Sequence, residues 1–407
     1  MTASLFPEFA MAARTASVIV VALAASPLIA LAQAKPPVAQ FWADVATHSL
    51  SIPGMGDMDE GGMGMFGGFF GGTKNAGGAP GKWLDTALHT RNKPSGTLGS
   101  HAIPPALSMG SALPLVPVQV ERDRGSEPGE MEKPKGRLLF YWGCSETVRP
   151  GQPRVVDFAN ASPDEYAKFM TGRFAPDRGA KAVAGRSVWP NEQDRKRVPA
   201  NASMSGDHAV SGEGVPAGLK FAIGAGHDFM PKISMSAQGD PKGPVNVGWG
   251  DVNNSRAYFL TAMGAKGEQE MVIWSSSEQP DPGWGLMDYL PPAQIERLLK
   301  EKVILPTSVQ RCAIPSGIFA GVDGAMVRMI AYGPELNLAH PPRPANPKAP
   351  WNPEWAVRVR VKSTGMTMLG MGDEGGRGAS RTQSGQEKEE AGGLPSPGNL
   401  LRGIFGH

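Results

Sequence analysis

The chain has 407 residues, of which 53 are Gly and 38 Pro, with 19% charged residues and a net charge of +2 at pH 7. Gly and Pro are the poorest helix formers, so this composition excludes an architecture of long helices. The near-neutral balance argues against a nucleic-acid partner, which needs a concentrated basic face. The densest basic cluster, Arg195-Lys196-Arg197, is a three-residue island that reads as a solvated loop.

The N-terminus carries the clearest signal. Ala12, Ala13 and Arg14 lead into an apolar run over 18–31, too short to span a bilayer, which ends in Ala32-Gln33-Ala34 before Lys35-Pro36-Pro37. This is the pattern of a secretory signal peptide, 1–34, cleaved after Ala34, with Met11 a second possible start. The mature protein is therefore expected to be exported, to the periplasm or beyond, with no transmembrane span after processing.

Residues 35–82 follow as a Gly/Met-rich flexible segment, because 54–81 (GMGDMDEGGMGMFGGFFGGTKNAGGAPG) has too little apolar surface to offset its ordering entropy. An extended N-terminal arm and polar linker is expected over 83–135, ending in ERDRGSEPGEMEKPK at 121–135. A first β domain over 136–236 is read from short β-branched or aromatic runs bounded by Gly and Pro: RLLFYWGC at 137–144, RVVDF at 154–158, LKFAI at 219–223 and KISMS at 232–236. Within it, Ser162-Pro163-Asp164-Glu165 has the pattern of a capping box, which predicts a helix to about Met170.

A second β domain over 237–364 contains strands at 245–250, 257–263, 270–275, 325–331 and 355–361. In the last of these, W-A-V-R-V-R-V places Trp355, Val357, Val359 and Val361 on one face and Arg358 and Arg360 on the other. A helix starting near Pro292, with Ile295, Leu298 and Leu299 at i, i+3 and i+4, is expected to cover one sheet edge or plug one end of a sandwich. Residues 365–407 read as a disordered tail. The fold class is thus mainly β: two antiparallel β-sandwich-like domains, one or two short helices and long disordered Gly/Pro-rich segments.

VNVGWGDVNNSRAYFLTAMG followed by MVIWSSSE resembles the early strands of a fibronectin type III or related immunoglobulin-like domain. The resemblance implies that Trp249 and Tyr258 pack between two sheets. More broadly, HAIPPALSMG, FYWGCSETVRPGQPR and CAIPSGIFAG resemble exported proteobacterial proteins of unknown function, a likeness that implies no activity.

The two cysteines, Cys144 and Cys312, form an even count in an exported protein and are expected to pair as a disulfide, the alternative being two buried thiols. No cofactor fingerprint or complete metal-ligand set stands out, so neither a cofactor nor a metal is assigned. Asp207-His208 and His227-Asp228 are the catalytic candidates. With 219–223 as the strand joining their loops, the two pairs fall about 20 Å apart at roughly 3.3 Å per residue. Met55, Met58, Met63 and Met65, with Met366, Met368 and Met371, offer thioethers of the kind that hold Cu(I). Trp274, Trp284 and Trp351, with Tyr289 and Trp355, are candidates for stacking on sugar rings, against the commoner role of large aromatics in a core.

The resulting expectation is an exported, non-enzymatic envelope protein that binds a protein or glycan partner. The alternatives are a secreted hydrolase acting on envelope polymers through Asp207, His208, His227 and Asp228, or a Met-rich copper-binding protein.

Overall fold

The computed structural model describes residues 35–51, 80–119, 136–267, 269–322, 324–346 and 349–369. The expected signal peptide, nearly all of the Gly-Met stretch, the polar connection at 121–135 and residues 370–407 lie outside the described residues, and with them Met55, Met58, Met63, Met65 and Met371.

The fold is mainly β. In chain order the strands are Ala39–Ser51 (β1), Gly81–Thr90 (β2), Gly99–Ala102 (β3), Ala112–Pro117 (β4), Arg137–Trp142 (β5), Arg154–Asp157 (β6), Ser187–Trp189 (β7), Gly206–Gly212 (β8) and Lys220–Ile223 (β9). They continue with Met235–Gln238 (β10), Val245–Trp249 (β11), Ala257–Lys266 (β12), Glu270–Ser275 (β13), Arg311–Ile314 (β14), Ala325–His340 (β15) and Trp355–Leu369 (β16). Two helices, Pro163–Met170 (α1) and Pro292–Lys300 (α2), interrupt them. Among the described residues no helix is long and apolar enough to cross a membrane.

Thirteen strands join in one sheet in the order β6-β5-β13-β12-β15-β16-β1-β2-β7-β4-β3-β8-β9, and β10-β11-β14 form a smaller second sheet. Two pairings are parallel, β1 with β16 and β5 with β13, so the large sheet is mixed rather than antiparallel throughout. β5 belongs to the expected first domain and β13 to the expected second, and the two portions share this sheet.

The far end of the large sheet folds back over its centre. The Phe41 ring of β1 lies 4.8 Å from His101 of β3 and 5.8 Å from Phe221 of β9. The small sheet closes the rest of this inner face. A single apolar cluster runs from Phe41, Val45, Val359 and Val361 through Leu260 and Trp274 to Val247 and Ile314. Gly365 of β16 permits the approach, since a Cβ there would lie 2.9 Å from Ile233 and 3.0 Å from the Met235 sulfur. Cys144, just beyond β5, and Cys312 of β14 are disulfide-bonded with Cα atoms 5.0 Å apart, which ties the small sheet to the large one.

The outer face is also covered. α2 lays Ile295 and Leu298 against Phe259, Ile330 and Tyr332 of β12 and β15, so the helix covers a sheet face. α1 begins as its sequence predicts. Glu165 N–H donates to the Ser162 hydroxyl at 3.3 Å and Ser162 N–H to the Glu165 carboxylate at 2.9 Å. It sets Phe169 over Phe140 and Ile273.

Three segments depart from expectation. The stretch 35–82 contains β1, buried along nearly its whole length, and the start of β2. The supposed arm at 83–135 holds the rest of β2, with β3 and β4. The segment read as tail from 365 is strand as far as Leu369, with Met366 fully buried, so Met366 lies within a sheet and not on a loop suited to copper. β1 reads A-Q-F-W-A-D-V-A-T-H-S-L-S and buries Asp44, Thr47, His48 and Ser49, polar residues that mask its place in the sheet.

Trp249 and Tyr258 pack between the sheets, one from each, edge to face with ring centroids 5.7 Å apart and 6% and 1% exposed. Truncation of Trp249 to alanine is expected to cost about 3 to 5 kcal/mol, read as a lower midpoint in urea unfolding. A midpoint equal to wild type contradicts the packing role.

Candidate functional site

The four catalytic candidates do converge, though not as a catalytic set. β8 and β9 form an antiparallel hairpin in which Gly206 faces Ile223 and Asp207 faces Ala222. The chain turns back between the strands, so Asp207-His208 and His227-Asp228 lie at the same end and the expected separation of about 20 Å does not hold. The Asp228 carboxylate accepts hydrogen bonds from the Met204 N–H at 2.7 Å, the Phe229 N–H at 2.7 Å and the Ser203 hydroxyl at 2.5 Å. The loop so ordered directs the Met204 carbonyl to His208 Nε2 at 2.8 Å. His208 Nε2 must donate to that carbonyl, which leaves the Nδ1 of the neutral ring to accept from His101 Nε2 at 3.0 Å. His208 also stacks on Phe221 at 5.2 Å. Both imidazoles are core residues, Asp207 is exposed, and His227 is half-buried on a one-turn 3-10 helix.

The stacking candidates are mostly inside. Trp274 is 0% exposed and donates from Nε1 to the Gly143 carbonyl at 3.0 Å. Trp284 is half-buried with its edge toward Phe169 at 6.2 Å. Trp355 is buried and stacks on His340 at 5.7 Å. Trp351 is half-buried, donates to the Pro341 carbonyl at 3.0 Å and carries the Arg343 guanidinium 5.6 Å from its ring.

Tyr289 belongs to a belt of charge on the outer face of β1 and β16 that sequence reasoning does not find. Asp44 and Arg360 are register partners on the parallel pair, both buried, and bond bidentately, Nε to Oδ1 at 2.7 Å and Nη2 to Oδ2 at 2.6 Å. Ala180 N–H donates to the same carboxylate at 3.0 Å. Gly179 lies so close above the pair that a Cβ would overlap both groups, at 1.7 Å from Arg360 and 2.2 Å from Asp44. Arg360 and Lys362 each stand 4.3 Å from the Tyr289 ring centre, and Lys362 Nζ, wholly buried, reaches Asp288 at 2.7 Å.

Burial works against the Arg360 charge, but the bonds and field of Asp44 more than reverse it and hold the group above its ordinary value. Burial dominates at Lys362 and lowers its pKa despite Asp288. It also brings Arg328 down to about 10. A cavity of about 150 Å³ remains between Asp44, Asp177, Lys181, Asp288 and Arg360. Asp44 pairs with Arg360, Asp177 with Lys181 and Asp288 with Lys362, so the belt fastens covering loops to the sheet.

The open site lies on the small sheet. A groove of about 960 Å³ crosses its outer face and one end, where Ser236 of β10, Gly248 of β11 and Arg311 of β14 form a row of register partners. Trp249, the last residue of β11, also lines the groove, and Gly250 and Gln310 extend the lining beyond the strand ends. Gln310 donates from its side chain to Asp251 and accepts from Trp249 N–H at its carbonyl, 3.0 Å away, which holds the 308–311 segment against β11. Beside Met235 and Val309 the arrangement offers hydroxyl, amide and guanidinium groups around a floor left bare at Gly248 and Gly250, a surface suited to holding a polar chain. From sequence, the trace of this site is the spacing W-G around Gly248, Trp249 and Gly250; the contribution of 308–311 depends on pairing across the sheet. No protein family and no curated protein matches this chain in sequence.

Replacing Asp44 by asparagine leaves the Arg360 guanidinium buried without its counter-charge. Unfolding stability is expected to drop by about 3 to 5 kcal/mol in a denaturant titration, and an unchanged value contradicts the anchoring role. Burial also holds His48 and His101 well below the ordinary imidazole value of 6.5, with Lys362 and Arg328 adding to the shift at His48 and His208 at His101. The unfolded chain therefore binds protons that the folded one refuses. Stability is complete above about pH 6.5 and declines below it, by up to about 1.4 kcal/mol per pH unit for each histidine until its folded pKa is reached. Thermal unfolding should show a melting temperature that falls from pH 7 to pH 5, and a flat profile would contradict the neutral buried state.

Proposed function

We propose that this chain is an exported protein of the cell envelope that binds a partner, glycan or protein, without transforming it. The observation that carries the reading is the groove of about 960 Å³ across the small sheet, open and lined by groups that make hydrogen bonds. Export rests on the N-terminal pattern of residues 1–34. The hydrolase alternative loses support because His208 is bonded in the core and Asp228 orders the 203–205 loop, so neither offers a free group to a substrate.

In the same reading, residues 136–236 and 237–364 are two sandwich-like halves, the second related to fibronectin type III or immunoglobulin-like domains. The placement of Trp249 and Tyr258 between sheets supports that relation. The β5–β13 pairing and the Cys144–Cys312 bridge then hold the halves together as one body.

Sedimentation with isolated bacterial envelopes tests the reading. The purified chain is expected to sediment saturably with the envelope fraction, and His227→Ala should sediment equally. Protein that stays in the supernatant at every envelope concentration rejects it.

A further inference from the structure

The geometry points to an acidic polysaccharide, a chain of sugar units bearing carboxylates, as the occupant of the groove on the small sheet. This rests on the envelope-binding reading and deepens it. At about 960 Å³ the groove lies near the upper end of ligand-site sizes and takes more than one sugar ring. Its floor is bare by construction. A Cβ on Gly250 would meet nothing within 4 Å, and one on Gly248 would come no closer than 3.5 Å to the Ser236 hydroxyl. Both glycines therefore leave open space that a ligand can enter.

The groups around that space match sugars. Ser234, Ser236 and Ser308 present hydroxyls, each able to donate and accept, as a sugar hydroxyl requires. Trp249 packs its ring on Tyr258 between the sheets, on the face opposite Gly248, so recognition in the groove runs through hydroxyls and the guanidinium and not through ring stacking.

Charge narrows the class. Arg311 is the one charged residue among those lining the groove and is exposed. Its planar fork of donors fits a carboxylate on two oxygens. A peptide is disfavoured by topology. A peptide extends a sheet by pairing along its edge strands, here β10 and β14, whereas a chain lying across the floor meets β11, which is paired on both sides, and finds no strand to extend there.

Calorimetric titration of the full chain decides the matter, with hexagalacturonate as probe and maltohexaose and a hexaglutamate peptide as comparators. The uronate is expected to bind at least about tenfold more tightly than either comparator. Arg311→Ala should weaken it by about tenfold or more and Gly250→Gln should block it, both with the wild-type melting temperature. No uronate binding, binding that Gly250→Gln leaves intact, or hexaglutamate binding as tightly as the uronate each overturns the proposal, the last by assigning the groove to acidic peptides. If Gly250→Gln still sediments with envelopes while wild type ignores the uronate, the groove assignment fails and envelope binding stands. If wild type does not sediment, the broader reading fails.

Discussion

The buried pairing of Asp44 with Arg360 is the constraint on which the rest of the fold depends. These residues stand side by side where β1 and β16, drawn from opposite ends of the described chain, run in parallel at the centre of the large sheet. Either charge alone in that place would be costly to bury, and the bidentate contact makes both tolerable at once. On the other side of the same strands, Phe41, Val45, Val359 and Val361 enter the apolar cluster. The central strands therefore meet an apolar layer on one face and a matched layer of charge on the other. The charged layer has further consequences: it holds the 177–180 segment by way of Gly179 and Ala180, and it holds Tyr289 and Asp288 by way of Arg360 and Lys362.

With the centre covered on both faces, the surface left for recognition lies further out. α2 and α1 occupy the outer face of β12, β15, β5 and β13. β3, β8 and β9 fold over β1, and the small sheet closes the remainder of the inner face, tied by Cys144–Cys312. The outer side of that small sheet faces away from the core. Its central strand carries Gly248 where a side chain would otherwise stand, and the groove follows from that choice. The rigid part of the molecule thus supports the groove through the Trp249–Tyr258 contact, which joins the lining to the core.

Legibility in the sequence followed the range of the interaction. The capping box at Ser162 and Glu165 and the apolar stripe of Ile295 and Leu298 are local, and both helices formed where their residues indicate. The alternation from Trp355 to Val361 is local too, and its apolar face is in the core. Its arginine face reads as solvent-exposed until Asp44 is placed beside it, 316 residues away. β1 escaped notice for the same reason: Asp44 and His48 make it look like a polar connection, and their partners Arg360 and Thr364 lie on a strand that the local pattern cannot connect to it. The catalytic candidates failed differently. The turn between β8 and β9 reversed the chain and brought Asp228 to the loop beneath His208, converting a presumed pair of distant loops into one bonded corner of the core.

By itself the sequence determined the β-rich character and where both helices begin; the even cysteine count pointed to a bridge but left two buried thiols as the alternative, and the burial of Trp249 and Tyr258 was read only from a resemblance. Composition, periodicity, capping and cysteine count are properties of neighbouring residues or of the chain as a whole. Tertiary structure alone decided that β1 and β16 run in parallel, that Asp44, Arg360, Lys362 and Asp288 gather around Tyr289, that His208 bonds to His101, and that Ser236, Gly248 and Arg311 line up across one groove. Each of these joins segments far apart in the chain, and a buried charge or a bare glycine acquires its meaning only from the group that folding sets opposite it.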